Sequence, residues 1–222
     1  MSKRILDLAI ALPALLLLAP LLLLVALLVR LDSPGPALFR QERVGKGGRT
    51  FSILKFRTMR HETDGRSTRQ ITPASDPRIT RLGALLRKWK LDELPQLINV
   101  LRGEMSLVGP RPEVPRYVAL YDEEQRRVLE VRPGLTDPAS LEFRDENELL
   151  AASNDPEALY LERLMPRKLE LNRRYIEERS LLLDLRIIAA TAAKVLFPRS
   201  DVTLLLGPRD STGRSRESLG PN

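Results

Sequence analysis

The sequence predicts an α+β fold, mainly α-helical, in which an N-terminal membrane segment precedes a membrane-apposed globular domain. Three observations predict this fold class. Residues 8–29 form an uncharged apolar run, two short strand-like segments flank a glycine-rich turn at residues 45–49, and a helical pattern of apolar residues begins at Thr80. The chain is accordingly divided into a membrane segment, a globular domain and a flexible tail, at residues 1–31, 32–198 and 199–222.

Composition excludes several kinds of chemistry. The chain has no cysteine and one histidine, which rules out disulfide frameworks, thiolate metal sites, metal sites built from histidines and Ser-His-Asp triads. Lys and Arg number 36 against 29 Asp and Glu, giving a formal charge of +7. This excess predicts an anionic partner, which could be nucleic acid, a lipid headgroup surface or a phosphorylated substrate.

The apolar run is long enough to enter a membrane. As a straight helix, residues 8–29 would extend roughly 33 Å, about the thickness of the hydrocarbon core of a bilayer. A cleaved signal peptide is less consistent with the sequence, because its apolar region is usually only about 7–15 residues long. Lys3 and Arg4 precede the run and Arg30 follows it, so both flanks favour the cytoplasm.

Two prolines, Pro13 and Pro20, affect how the run enters the membrane. Pro20 removes a helix donor near the middle and leaves the carbonyl of Leu16 without its partner. A break there would leave two arms of roughly 22 and 18 Å, each too short to cross alone. The local sequence allows a re-entrant hairpin or a spanning helix kinked at proline.

The first part of the globular domain predicts a β-hairpin. Residues 37–44 and 50–56 form the two strands, and the GKGGR sequence between them forms the turn. The glycines could instead form a small anion-binding nest, but the P-loop spacing is absent, so a plain turn is favoured. The polar residues 60–78 predict a loop.

The stretch KLDELPQLINVLRG predicts a helix whose first turn carries two carboxylates. Asp92 and Glu93 begin it, Pro95 is tolerated only in an opening turn, and Gly103 ends it. At a helix terminus, adjacent carboxylates can reach one site, and the free N–H groups favour a nearby phosphate. The alternative is that Asp92 only caps the helix and Glu93 only occupies its first turn.

Several motifs together resemble the monotopic phosphoglycosyl transferases, also called bacterial sugar transferases, over residues 3–198. The matching motifs are, in chain order, KRILD with the proline-containing apolar segment, FSILKFRTM, LRKWKLDELPQLINVLRGEMSLVGPRP, VRPGLT and the helix from Tyr175 to Val195. The resemblance implies transfer of a sugar 1-phosphate from a UDP-sugar to polyprenyl (undecaprenyl) phosphate, with release of UMP. That reaction is the first membrane step of bacterial glycoconjugate assembly, including exopolysaccharide.

The resemblance also implies roles for individual residues. Asp92 matches the nucleophile that forms a covalent aspartyl phosphosugar intermediate, and Glu93 matches its partner carboxylate. The two would hold Mg²⁺, a hard cation that oxygen ligands suit. Arg87, Lys55 and Arg111 match positions that contact phosphate. Without a substrate role, Arg87 would face solvent, Lys55 would end a strand and Arg111 would brace a turn.

For the membrane segment, the resemblance favours the hairpin, with its break at Pro20. It places the enzyme in the inner (cytoplasmic) membrane of a bacterium, bound to the cytoplasmic leaflet with its catalytic domain in the cytoplasm. Basic residues 40–60 and amphipathic helices near 167–197 would then contact the membrane interface.

One region departs from the commonest family pattern, because VRPGLT is followed by DPASLEFRDE. Asp137 and Glu142 would face the nucleotide-sugar end of the site, or would belong to a solvated loop and helix start. The donor sugar is therefore left open. A non-catalytic basic membrane anchor or scaffold for glycan assembly is the alternative function. Nucleic acid is not expected as a partner, because no aromatic stacking platform accompanies the charge.

Overall fold

The computed structural model describes residues 2–60 and 76–197. Most of the loop expected over residues 60–78, and the tail expected over residues 199–222, lie outside the described residues. Within them, the elements follow the order α1 (Ser2–Asp32), β1 (Leu38–Val44), β2 (Thr50–Phe56), α2 (Arg81–Lys88), α3 (Gln96–Arg102), β3 (Ser106–Val108), α4 (Pro115–Val118), β4 (Gly134–Thr136), α5 (Pro138–Glu142), α6 (Glu146–Ala151), α7 (Pro156–Leu159), α8 (Met165–Glu178) and α9 (Leu181–Leu196). Short 3₁₀ segments occur at Lys46–Gly48, Leu91–Glu93 and Gln125–Glu130, and a π-helical turn occurs at Tyr160–Leu164. The mainly helical α+β class is confirmed.

Helix α1 is long and apolar enough to cross a membrane, by length and composition. Only 11% of its most apolar 18-residue window is buried, so this helix is not the core helix of a water-soluble domain. Leucines in its middle are largely exposed, with Leu17 at 82% and Leu23 at 73%. A large exposed apolar surface of this kind marks a surface that another apolar phase covers.

Both ends of α1 contact the globular domain. Near its start, the Asp7 carboxylate accepts hydrogen bonds from Ser106 Oγ and the Leu107 N–H, both at 2.9 Å. At its end, the buried Arg57 guanidinium donates to the carbonyls of Val29 at 3.2 Å and Ser33 at 2.6 Å. The Arg57 contacts thus provide hydrogen-bond donors for carbonyls at the C-terminal end of α1, and the Asp7 contacts bind its N-terminal end to β3.

The division of the apolar segment into helix, break and helix at Pro20 is not reproduced in secondary structure. Helix α1 continues from Ser2 to Asp32 through both Pro13 and Pro20. A proline deletes one donor and strains one turn, but the hydrogen bonds on either side can carry the helix past it.

Strands β1 and β2 pair antiparallel, with Leu38 opposite Phe56 and Val44 opposite Thr50. The predicted hairpin is therefore confirmed. Its turn contains Gly47 and Gly48 at φ +67° and +75°, a left-handed backbone that glycine adopts without steric cost.

A second pair of strands was missed by sequence analysis. Strands β3 and β4 are three residues each and lie parallel, with Ser106 opposite Gly134 and Val108 opposite Thr136. The backbones approach so closely that a Cβ on Gly134 would lie 2.2 Å from the Gly109 nitrogen. This pair brings the loop that follows β3 next to the start of α5.

The apolar core has two main parts. One lies where α1 meets α3, β2, β3 and α9, and contains the fully buried Ala11, Val100 and Ile187. The other lies where α8 packs against the segments around Val118, Tyr160 and Leu164. The helix predicted from Asp92 to Gly103 begins later, as α3 at Gln96, and the two carboxylates lie in the 3₁₀ turn Leu91–Glu93 that precedes it. This segment lies at the edge of the first part of the core, where α3 packs on β2.

Candidate active site

Residues far apart in the sequence meet at Glu93. Lys55, on β2, donates from Nζ to Glu93 Oε1 at 2.9 Å. Arg111, in the loop after β3, donates from Nη1 to Oε2 at 3.1 Å and from Nη2 to Oε1. Three of the sequence-predicted residues therefore form one ion-paired cluster, and both oxygens of the Glu93 carboxylate are engaged.

The charges of this cluster control its ionisation. Burial would raise the pKa of Glu93, but Arg111 and Lys55 hold that pKa well below its usual range. The attraction of Glu93 raises the pKa of Arg111. Burial lowers the pKa of Lys55, and Glu93 partly offsets this effect. Glu93 is therefore an ionised carboxylate between two cations.

Asp92 is in a different electrostatic environment from Glu93, although the two are adjacent. Asp92 is only 8% exposed, and its Oδ1 is buried with no hydrogen-bond partner within the described residues. Burial and the negative charge of Glu93 raise the pKa of Asp92. A buried carboxylate without hydrogen bonds to stabilise its charge is a stronger nucleophile and base than an ordinary aspartate.

The backbone before Asp92 explains how both carboxylates come to lie at one place. Lys90 adopts a left-handed conformation, with φ +56° and ψ +20°. Among the described residues it is the only non-glycine with positive φ, and such a conformation costs free energy that the surrounding structure must supply. It reverses the chain after α2 and starts the 3₁₀ turn that carries Asp92 and Glu93, so Lys90 rather than Asp92 occupies the N-cap position.

Arg87 lies beside this cluster rather than in it. Its Nε donates to Thr58 Oγ1 at 2.8 Å. Burial lowers the pKa of Arg87, whereas attraction to Asp92 and Asp76 raises it. Helix α2 sits directly on the Thr58 backbone, because a Cβ on Gly83 would lie 2.0 Å from the Thr58 carbonyl oxygen. Arg87 is thus held near Asp92, and among the described residues its guanidinium makes no hydrogen bond or ion pair with Asp92 or Glu93.

Asp137 is fully buried and holds the loop that carries Arg111. Its Oδ2 accepts hydrogen bonds from the Arg111 backbone N–H at 2.8 Å and from Asn172 Nδ2 at 3.2 Å. Its Oδ1 accepts from the Ser140 N–H, so Asp137 also caps α5. The helix start of the second alternative is confirmed, but the side chain is wholly buried rather than solvated, and it binds the backbone of the Arg111 loop.

Glu142 lies at the other end of α5, half-buried, with an oxygen 3.6 Å from Arg167 Nε. It is therefore not part of the Glu93 cluster.

A buried network next to the cluster was missed by sequence analysis. Arg43 Nη1 donates to Glu113 Oε1 at 2.9 Å, and Tyr160 Oη donates to Glu113 Oε2. Glu113 follows the Arg111 loop by two residues, so the network fixes the far side of that loop. The position of Glu113 directly after GPRP could have indicated that this residue belongs near the site. Nothing in the sequence around Tyr160 indicates that it binds Glu113.

Of the two predicted metal ligands, only Asp92 is available to bind a cation such as Mg²⁺. Within residues 2–60 and 76–197, no group of three or more His, Cys, Asp or Glu side chains could hold a metal. Glu93 is occupied by Lys55 and Arg111, so the carboxylate that remains for a cation is Asp92. Mg²⁺ commonly takes one or two carboxylates and fills its other positions with water and substrate phosphate oxygens, and this donor set suits that pattern.

The two carboxylates should affect stability in opposite directions. We expect Asp92→Asn to raise the free energy of unfolding by about 1 kcal/mol, because it removes a charge that burial and the negative charge of Glu93 both disfavour. Glu93→Gln should lower it by about 3 kcal/mol, because two cations lose their anion. Thermal unfolding of detergent-solubilised protein at pH 7, followed by far-UV circular dichroism, measures both changes. Each kcal/mol should shift the Tm by about 2–4 °C.

The pH dependence provides the control. Arg111 and Lys55 hold the folded-state pKa of Glu93 well below its usual range, so its stabilisation is present at pH 7 and is lost as the pH falls through the depressed pKa. Wild type and Glu93→Gln should therefore converge in Tm at acid pH. A fall in Tm for Asp92→Asn as large as that for Glu93→Gln would show that Asp92 has a stabilising partner after all.

Asp137 and Asp155 form a matched pair of helix caps. Asp155 caps α7 on the surface, where it accepts from Glu157 N–H at 3.1 Å and Ala158 N–H at 3.0 Å. Asp155→Ala should cost about 1 kcal/mol, the usual value for a lost cap. Asp137→Ala should cost about 3 kcal/mol, because the Arg111 N–H and Asn172 lose their acceptor as well. Chemical denaturation of both variants measures the difference, and equal losses would mean that Asp137 is only a cap.

Comparison with known proteins places this cluster in context. The family model for bacterial sugar transferases matches residues 1–198. The chain is 42% identical over 208 residues to a UDP-glucose:undecaprenyl-phosphate glucose-1-phosphate transferase of Caulobacter vibrioides, covering 88% of this chain and 70% of that protein. A protein of the same name from Xanthomonas campestris pv. campestris is 42% identical over 199 residues, covering 88% of this chain and 39% of that protein.

A third relative differs in its sugar. The UDP-N-acetylgalactosamine-undecaprenyl-phosphate N-acetylgalactosaminephosphotransferase of Aeromonas hydrophila is 39% identical over 199 residues, covering 87% of this chain and 43% of that protein. The chain thus spans well under half the length of two of these three relatives. The resemblance drawn from its motifs is confirmed, and the chain belongs to the bacterial sugar transferase family.

Proposed function

We propose that this chain transfers a sugar 1-phosphate from a UDP-sugar to a polyprenyl phosphate, with Asp92 as the nucleophile. The observation that carries the proposal is the contrast between two adjacent carboxylates. Glu93 is neutralised by Lys55 and Arg111, whereas Asp92 is buried and has no hydrogen-bond partner at Oδ1. Such a site holds one carboxylate in place and leaves the other available to react.

The reaction proceeds in two displacements at the same phosphorus atom. In the first, an Asp92 oxygen bonds to the sugar-bearing phosphorus while the P–O bond to UMP breaks, and UMP leaves with the electron pair. In the second, an oxygen of polyprenyl phosphate bonds to that phosphorus and the Asp92 carboxylate leaves. Each step forms one P–O bond and breaks one, and the covalent intermediate divides a difficult transfer between two large anions.

Bringing several anions together requires nearby positive charge. Lys55 and Arg111 carry two positive charges and Glu93 carries one negative charge, so this cluster has a net positive charge beside Asp92. Arg87 has guanidinium nitrogens besides the Nε held by Thr58, and a guanidinium can bind phosphate through two hydrogen bonds. Mg²⁺ held by Asp92 and substrate would supply further neutralisation of phosphate charge when bound. The other predicted metal ligand, Glu93, is expected to act through Arg111 and Lys55 instead.

The substrates follow from the relatives. Two of the three described above are named for UDP-glucose and undecaprenyl phosphate, and the third for UDP-N-acetylgalactosamine. UDP-glucose and undecaprenyl phosphate are therefore the first pair to test. An exopolysaccharide production protein of Sinorhizobium fredii is also 38% identical, which supports a place in glycan assembly.

The membrane proposal is a re-entrant hairpin in the cytoplasmic leaflet, with the globular domain in the cytoplasm of a bacterium. Asp7 and Val29 would lie about 33 Å apart in a straight helix, which is the thickness of the hydrocarbon core. A straight spanning helix would therefore place them on opposite sides of the membrane. Both are in contact with the same globular domain, through Ser106 and Arg57 respectively, and this supports a path in which the continuous helix bends at Pro20 and returns to the side where it entered.

The nucleophile is tested by trapping its adduct. Purified protein in detergent, incubated with UDP-[¹⁴C]glucose and Mg²⁺ but no lipid acceptor, should become covalently labelled and release UMP in equal amount. Asp92→Asn should abolish the label, because an amide cannot form the acyl phosphate. Labelling is measured by scintillation after denaturing gel electrophoresis.

Asp122→Asn is the matched control, since Asp122 is exposed on a loop and should label as wild type does. Addition of undecaprenyl phosphate should chase the label into lipid. Liposome binding without UMP release, under conditions where the protein is folded, would favour the non-catalytic scaffold instead.

The hairpin is tested by cysteine labelling, for which the absence of native cysteine is convenient. Ser2→Cys and Glu123→Cys, the second on the exposed surface of the globular domain, should react with an impermeant maleimide from the same side of inverted inner-membrane vesicles. A spanning helix would make the two cysteines reactive from opposite sides.

A further inference from the structure

Two adjacent turns of one helical segment hold side chains that lack partners. Within the described part of the chain, seven buried side-chain atoms have no hydrogen-bond partner. Five belong to side chains that bind a neighbour through another hydrogen bond or an ion pair. The other two are Asp92 Oδ1 and Gln96 Nε2, and neither side chain makes a hydrogen bond or ion pair with a described residue, although Asp92 is attracted at longer range to Lys55, Lys90 and Arg87.

Gln96 is even more deeply buried than Asp92, with 1% of its surface exposed against 8%. Buried amides are normally hydrogen-bonded, because an unpaired N–H in the interior costs free energy. A methionine or leucine of similar size would avoid that cost. The unpaired amide is therefore a donor that a bound ligand could engage.

The helical backbone orients Gln96 toward the 3₁₀ turn Leu91–Glu93. Leu94 and Pro95 both have right-handed helical φ and ψ, so the 3₁₀ turn continues directly into α3. Side chains three and four residues apart share a helix face and tilt toward the N-terminus. The Gln96 side chain accordingly leans toward the turn that carries Asp92 and Glu93.

The two neighbours of Gln96 on this face are fully satisfied. Glu93, one turn before, binds Lys55 and Arg111. Asn99, one turn after, donates from Nδ2 to Ser52 O at 2.8 Å and accepts from the Leu54 N–H at 3.1 Å. The fold can thus pair polar side chains at this helix face, and Gln96 is the exception between them.

We propose that Gln96 is a further residue of the reaction centre, whose carboxamide N–H donates a hydrogen bond to a phosphoryl oxygen of the sugar phosphate attached to Asp92. The inference rests on the proposed function, because that oxygen is present only when the phosphosugar is bound at Asp92. Lys55 and Arg111 already form ion pairs with Glu93. The Gln96 amide is a neutral donor without a partner, so it can donate a hydrogen bond to phosphate in addition to these two cations. Gln96 forms and breaks no covalent bond. It stabilises the charge that develops on the phosphoryl oxygens as the phosphorus is transferred.

Gln96→Met is the decisive variant, because it keeps an unbranched side chain of similar length and removes the donor. The first-order rate of adduct formation with UDP-[¹⁴C]glucose should fall about 100-fold, the usual effect of losing one preorganised donor. The Tm should stay the same or rise, because an unpaired buried amide has been replaced by an apolar group. Gln96→Leu provides a second variant with the same expectation if Gln96→Met does not fold.

Two controls separate this effect from general damage. Leu97→Met, also buried in α3, should form the adduct at the wild-type rate. Asp155→Ala lowers stability at a cap outside the site, so any loss of rate in Gln96→Met beyond that in Asp155→Ala is assigned to the missing donor.

The outcomes distinguish this inference from the proposed function. Wild-type adduct together with an unchanged rate in Gln96→Met and Gln96→Leu overturns the role of Gln96 and leaves Asp92 as nucleophile. Absence of any wild-type adduct or UMP release overturns both. A lower Tm with an unchanged rate would identify Gln96 as purely structural.

Discussion

The ion pair of Glu93 with Lys55 and Arg111 is the interaction on which the site depends. It joins three separate parts of the chain, namely a strand of the hairpin, the 3₁₀ turn before α3 and the loop after β3. A buried carboxylate between two cations is costly to break, because each partner left alone would be a buried charge. The same interaction engages both oxygens of Glu93, whereas Asp92 Oδ1 has no hydrogen-bond partner among the described residues, so the two adjacent carboxylates have different environments.

The rest of the fold holds these three parts in place. Asn99 fixes α3 to the open edge of β2, which sets the distance from Glu93 to Lys55. Asp137 holds the backbone of Arg111, and it can do so because β3 and β4 lie parallel and bring Thr136 beside the loop. Helix α1 is bound to the same framework through Asp7 at β3. Its apolar middle is thereby attached to the domain that carries the charged cluster.

The sequence was sufficient for features that depend on local pattern. The carboxylates in an opening turn followed from Pro95 and Gly103, and the hairpin followed from alternating residues around glycines. The roles of Asp137 and Glu113 could not be predicted, because each depends on partners more than 25 residues away. Strands β3 and β4, with three residues each, are too short for any periodicity to be recognised. The continuous helix through Pro20 depends on how the structure tolerates one missing donor, which the residue type alone does not decide.

The distribution of satisfied and unsatisfied polar groups along one helical segment is itself informative about function. Glu93 and Asn99 have their partners, whereas Asp92 and Gln96 do not, although all four are buried within eight residues. Random imperfection in packing would not be expected to fall on two side chains one turn apart beside a cluster of cations. A site preorganised for a phosphate must instead leave its donors and its nucleophile unpaired until the substrate arrives, because bonds already made within the protein would have to be broken first. In the proposed reaction, the free energy that these two residues lose in the unliganded fold is recovered when the phosphoryl group binds to both of them.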